Sequence, residues 1–319
     1  MNSSNHFHSP ALAKLTAALG STLIVMGAVA ATPLQVGDIL WADSFGAVFK
    51  YTPATEEHSM FASGDKLVQP FGIAVEANGD VLVSDTGALA IIRIDSQTGT
   101  QSVLSSGPRL GVPYGIALEQ DGNIVVANSE AIVRVDPISG NPTPVSERRQ
   151  FGPFGGYHPL GVAVADNGDL IVANGGLSGG LIRVNPRNGQ QKRLTKEGAL
   201  KWLQAIAING NDIYVTALAT DDGNFGVGRV VHFDLRARVP IEISYGRNLV
   251  GPVGIAVDGD GQLVVGDPYT INPDSLNLYD GGIIKIDPLG NQNLLVRGDG
   301  DFVNPRGVAI VRAVSLVVR

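Results

Sequence analysis

The chain of 319 residues contains no cysteine. That excludes disulfides, thiolate nucleophiles, zinc–cysteine sites and iron–sulfur clusters. There are three methionines and five histidines, and charged residues make up only 17% of the total. A chain so poor in charge, yet 44% hydrophobic, has the means to pack a core and is not a disordered acidic polymer. Lys and Arg number 23 against 30 Asp and Glu, a net charge of −7. That sign argues against nucleic acid or an anionic membrane as the partner. The sequence also lacks a phosphate loop and a zinc motif. What it has in quantity is turn formers, 41 Gly and 18 Pro.

Residues 1–31 stand apart from the rest. Lys14 is their only charged residue, an apolar run follows from Leu15 to Gly27, and Ala28-Val-Ala30 comes next. A basic residue, a short apolar stretch and an Ala-x-Ala site are the pattern of a secretory signal peptide. The run is short for a membrane span, which needs about 20 residues, so no stable membrane insertion is expected after cleavage. The remaining domain, 32–319, carries net charge −8, because the leader holds one Lys and no acid. A secreted or periplasmic location follows as an expectation.

The domain is repetitive. Pro70-Phe-Gly-Ile-Ala-Val75 returns as Pro113-Tyr-Gly-Ile-Ala-Leu118, Pro159-Leu-Gly-Val-Ala-Val164, Leu203-Gln-Ala-Ile-Ala-Ile208, Pro252-Val-Gly-Ile-Ala-Val257 and Pro305-Arg-Gly-Val-Ala-Ile310. The third residue of each phrase falls at Gly72, Gly115, Gly161, Ala205, Gly254 and Gly307. Asn-Gly or Asp-Gly follows at Asn78-Gly79, Asp121-Gly122, Asn167-Gly168 and Asp260-Gly261. These dipeptides between apolar runs predict tight hairpins of type I′. Two β-rich runs come after each turn, such as Val81–Asp85 and Ile91–Asp95, and then a weaker fourth. Four short strands in each unit of 43 to 53 residues predict an all-β, six-bladed β-propeller. At the N-terminus Ile39–Asp43 and Ala47–Tyr51 look like second and third strands with no first strand before them. Gly307–Val311 supplies one, so one blade is shared between the two ends. Val314–Val318 is the competing second strand, but no Asn-Gly turn leads into it.

The recurring phrase, the Asn/Asp-Gly turn and a strand ending Ala-Asn or Ser-Asp resemble the NHL-repeat family of six-bladed propellers. The resemblance spans nearly the whole domain and is broadly shared with the gluconolactonase, senescence-marker-protein and streptogramin B lyase propellers. In gluconolactonase-like relatives, metal ligands include Asn or Asp at the second residue of the phrase. Here that column reads Phe71, Tyr114, Leu160, Gln204, Val253 and Arg306, with no carboxylate, so the resemblance brings no metal site and names no cofactor. Streptogramin-lyase-like chemistry needs a histidine base. Beyond the leader the histidines are His58, His158 and His232, of which His158 lies in a loop leading to the channel.

Two ring-like columns have structural explanations. Asp43, Asp85, Asn128, Asn174 and Asp267 end the second strands; they read as turn residues bonding local backbone rather than as cation ligands. Lys50, Arg93, Arg134, Arg183, His232 and Lys285 read as a solvated face that could pair with neighbouring acids for little energy. Loop length is the functional signal that remains. Leu218–Arg229 and Pro268–Gly282 are the long insertions, and Glu147–His158 opens on the same face. The expected ligand-binding set is Tyr114, His158, Gln204 and Arg306 with Asp222, Asp274 and Tyr279 from the long loops. Aromatics mixed with charges suit a small molecule, a carbohydrate or a protein. The sequence favours a binding propeller without a recognisable catalytic constellation. A metal-assisted lyase or lactone hydrolase at the channel mouth is the alternative.

If residues 1–31 are a cleaved leader, protein recovered outside the cytoplasm begins at Ala31 or Thr32. Intact-mass measurement checks this, and an uncut, membrane-bound chain would contradict it.

Overall fold

The second and third strands of each repeat, such as Val81–Asp85 and Ala90–Ile94, offer no wet face; nearly every residue is apolar. Strands of this kind must be covered on both sides. The structure, a computed structural model, describes residues 33–147, 151, 158–219, 225–270, 280–298 and 304–313. Among these residues the architecture is all-β: 24 strands in six four-stranded antiparallel sheets, the six blades of a β-propeller.

Blade 1 joins the two ends of the domain. Its inner strand is Pro305–Ile310, followed outward by Ile39–Asp43, Ala47–Thr52 and Glu57–Ser63. The C-terminal strand pairs antiparallel with Ile39–Asp43, with Leu40 opposite Ala309. Blades 2 to 6 are each continuous in sequence and begin with the inner strands Pro70–Val75, Pro113–Leu118, Pro159–Val164, Leu203–Asn209 and Gly254–Val257. The expected shared blade is therefore present. Val314–Val318, the competing segment, lies outside the described residues.

Six apolar clusters fill the six gaps between blades. Leu40, Ala42 and Val48 pack with Val81, Val83 and Ile92 between blades 1 and 2. On the other face of the same sheet, Ile39, Trp41 and Phe49 pack with Val264, Ile283 and Val296 of blade 6. Period-two alternation sends neighbouring residues of one strand into different gaps, so each sheet is a wall shared by two cores.

The inner strands approach much more closely than 10 Å face-to-face packing allows. A Cβ built on Gly115 would lie 2.6 Å from the Leu160 carbonyl oxygen and 2.9 Å from the Gly161 Cα; one on Gly307 would lie 2.6 Å from the Phe71 oxygen. Each glycine thus abuts the backbone of the next blade, around to the first. Gly161 faces Ala205 Cα at 3.0 Å, the loosest of these contacts and the one that reaches the alanine-bearing blade. Ser84 reinforces one junction: its hydroxyl accepts from Gly72 N at 2.9 Å and donates to the Tyr114 carbonyl of the next blade.

One turn expectation is corrected. In the first-to-second-strand hairpins only the glycine has positive φ, as at Gly79 (93°) and Gly122 (88°), whereas Asn78 and Asp121 do not. Gly79 N bonds Glu76 O at 2.9 Å, while Glu76 N bonds Asp80 O at 2.8 Å. These are three-residue loops, a type I turn closed by a glycine bulge, not type I′ turns. The glycine remains necessary, but its preceding Asn or Asp sits in an ordinary conformation.

Gly115→Ala is expected to lower stability by about 2 kcal/mol or more, since backbone and not a movable side chain stands in the way. Ala205→Gly, at the position that already carries a methyl group, should cost no more than about 1 kcal/mol. Thermal denaturation of both variants tests this; equal losses would show that the glycine ring is not the tight point.

Candidate functional site

The loops leading into the inner strands and those leaving the second strands share one face, and the column of Asp and Asn residues ties them together. Asp85 accepts from Val68 N (2.8 Å) and Gln69 N (2.9 Å) in the incoming loop and from Gly87 N (2.9 Å) and Ala88 N (2.8 Å) in the outgoing one. Asp267 does the same with Val250, Gly251 and Tyr269; burial pushes its carboxyl up to about 6 against those three donors. Where the incoming loop presents a carbonyl instead, an amide replaces the carboxylate: Asn128 Nδ2 donates to Leu110 O at 2.8 Å and Asn174 Nδ2 to Phe151 O at 3.0 Å. Asp43 bonds Asn304 N at 2.9 Å and so fastens the two ends of the domain. The column is a set of backbone staples. Among the described residues no three His, Asp or Glu side chains stand close enough to share a metal ion.

The opposite face holds the basic column, which pairs with neighbouring acids but is less solvated than expected. Five of the cations meet an acid from the adjoining hairpin, and Lys50 meets one from the segment leading into its blade. Arg93 bonds Glu76 at 2.6 Å, Arg134 bonds Glu119 at 2.5 Å, Lys285 lies 2.9 Å from Asp258 and His232 lies 2.7 Å from Asp212. Arg183 pairs with Asp169, and Lys50 lies 3.7 Å from the buried Asp38. Most of these side chains are at least half-buried, because the third strand lies inside its sheet and its base reaches back over the hairpin. His232 is accounted for as a member of this ring.

The central channel runs between the two faces. At its waist, about 60 Å³ is enclosed by Phe71, Leu160, Gln204, Val253 and the glycine row. Towards the tight-turn face it widens to about 520 Å³, lined mainly by Ala, Val, Ile and Leu of the inner strands with Glu76 and Arg312.

On the loop-bearing side of the waist, four side chains from consecutive blades form an arc. Tyr269, from the loop after the second strand of blade 6, stands close enough to Arg306 of blade 1 to act on its charge. The Arg306 guanidinium lies 6.0 Å from the centre of the Phe71 ring of blade 2. Phe71 meets Tyr114 of blade 3 edge to face, with ring centres 5.2 Å apart. Burial draws the Arg306 guanidinium below its usual pKa, opposed by Tyr269 and by the charge of Asp43. It also pushes the Tyr114 hydroxyl up. Arg306 Nε is buried and has no hydrogen-bond partner.

The structure thus brings Tyr114 and Arg306 of the expected set into one arc. Gln204 sits across the ring, and its amide turns back to donate to Leu203 O at 3.2 Å. His158 is held at the incoming loop of blade 4, with Nδ1 2.9 Å from Ser129 O. Asp222, Asp274 and Tyr279 lie outside the described residues. Phe71 and Tyr269 were not in the expected set, although Tyr269 belongs to the long loop Pro268–Gly282 that the sequence marked. Phe71 stood in the same column as Tyr114, but nothing in the sequence indicated that blade 6 would deliver Tyr269 to Arg306.

Comparison with known proteins fits this architecture. No family model matches the chain, and no curated protein matches its sequence. Among solved structures, a chain of the nidogen/laminin complex superposes with a TM-score of 0.69 at 14% identity, covering 86% of this chain and 98% of that one. Virginiamycin B lyase from Staphylococcus aureus superposes with a TM-score of 0.50 at 17% identity, covering 70% and 69%. At such identities the likeness is one of fold. The protein is a six-bladed β-propeller.

A desolvated guanidinium without a carboxylate is a source of instability, and an unpartnered buried N–H costs about 1–3 kcal/mol. Arg306→Met, of similar length and without polar groups, is therefore expected to raise stability by about 1–2 kcal/mol. Chemical denaturation measures it; a loss would show that the contacts with Tyr269 and Phe71 outweigh the burial of charge.

Proposed function

We propose that this chain is an exported propeller of the NHL type that binds a small molecule, a carbohydrate or a protein on its loop-bearing face. The observation that carries the proposal is the arc of Tyr269, Arg306, Phe71 and Tyr114. A structural role alone accounts poorly for a partly desolvated cation with an unsatisfied Nε placed among aromatic rings at the mouth of a channel. Binding sites gather this combination: apolar walls with a few convergent polar groups. The face has a further qualification. Its loops differ in length from blade to blade while resting on a repeated scaffold, the arrangement by which rigid folds carry variable recognition. The motif supports the NHL assignment, and residues 1–31 support export.

The test is a fragment screen of sugars, short peptides and small organic ions by protein-observed NMR. Shift changes are expected to cluster on Phe71, Tyr114, Tyr269 and Arg306, and Tyr114→Ala is expected to weaken the hits about tenfold. Changes confined to the tight-turn face near Glu76 and Arg312 would overturn the proposal.

A further inference from the structure

The two faces treat their cations differently. All six members of the third-strand basic column have an acid within 4 Å. Arg306 has none among the described residues. The charge of Asp43 acts on it, but Asp43 gives oxygens to Phe45 N at 3.0 Å and Asn304 N at 2.9 Å. The guanidinium has five N–H donors in a fixed planar fork. Tyr269 stands near it, and Nε is left without a partner. Arg306 as a whole remains partly exposed, so the fork is within a ligand's reach.

From this we infer that the loop-bearing mouth of the channel is a site for a monoanionic carboxylate carried on a flat apolar body, with Arg306 taking the carboxylate and Phe71 and Tyr114 the body. The inference rests on the proposed binding face and specifies what that face takes. A planar fork matches a carboxylate in two parallel hydrogen bonds. One guanidinium balances one negative charge; a phosphate dianion would call for further cations, and the remaining members of the second-residue column, Phe71, Tyr114, Leu160, Gln204 and Val253, are all uncharged. The edge-to-face pair of Phe71 and Tyr114 forms an angled wall beside the cation, where an aromatic body gains from both rings. Tyr114, its hydroxyl kept protonated by burial, adds a donor at the same mouth.

The probes are benzoate, its neutral counterpart benzyl alcohol, and inorganic phosphate, titrated into the full folded domain and followed by NMR shifts and thermal stabilisation. Benzoate is expected to bind saturably at the arc, with benzyl alcohol about tenfold weaker or more and phosphate not competing. Arg306→Gln should weaken benzoate about 30-fold or more and leave benzyl alcohol unchanged. Arg306→Lys should retain part of the benzoate affinity, and cooperative melting of both variants establishes that they fold. The inference falls if wild-type protein takes up no benzoate, if phosphate competes on equal terms, or if Arg306→Gln binds benzoate as well as wild type. Should benzyl alcohol bind as tightly as benzoate, with both lost in Tyr114→Ala and kept in Arg306→Gln, the loop-bearing face would stand as a binding face and only its anion preference would be refuted. Shifts at the tight-turn face alone would refute both.

Discussion

Six inner strands converge on one axis, and they can do so only where their backbones touch. The contact is made through Gly72, Gly115, Gly161, Gly254 and Gly307, whose missing Cβ atoms leave space for the carbonyl or Cα of the following blade. Widen that ring and the six apolar clusters between blades separate together, because each sheet is a wall for two of them. The closing step is the same contact once more: Gly307, near the end of the chain, against the backbone of Phe71, near its beginning. The strand pairing of Pro305–Ile310 with Ile39–Asp43 and the staple from Asp43 to Asn304 hold it shut.

A ring this tight sets the location of polar groups. The second residues of the inner strands line the waist and the loop-bearing mouth above it, so their side chains set what the channel offers there. Phe71, Tyr114 and Arg306 gather there because their blades are neighbours. On the other face the hairpins are short and alike, and each supplies one acid for one base. Among the described residues, charge is balanced pair by pair in the basic column of the tight-turn face, and Arg306 has no such pair. Half-buried ion pairs of this kind add little net stability when intact and cost more when broken, which suits a face that keeps five hairpins and the N-terminal strand of blade 1 in register.

The repeated parts of the protein were legible in the sequence because repetition makes local rules visible six times over. Period-two apolar runs gave strands, Asn-Gly and Asp-Gly gave hairpins, and the missing first strand at Ile39–Asp43 indicated a shared blade. The turn type was misjudged because a dipeptide does not reveal whether its loop has two residues or three; that is fixed by the pairing of Glu76 with Asp80. The basic column could be expected to find acids, but not which ones: Arg93 and Glu76 are 17 residues apart, and only the folded sheet brings them to 2.6 Å.

The binding arc shows the division most clearly. Tyr114 and Arg306 stood out by residue type in a column where small side chains would have sufficed, so local pattern pointed to them. That Arg306 adjoins Phe71 across the closure of the chain, that Tyr269 reaches it from blade 6, and that Gln204 turns back onto its own strand were decided by the ring. Sequence alone determined strands, turns, blade number and closure, since these follow from hydrophobic period and glycine position. Which side chains share a site, and which charges are left without a counter-ion, depended on tertiary structure, because those contacts join blades that are remote in sequence and meet only when the circle closes.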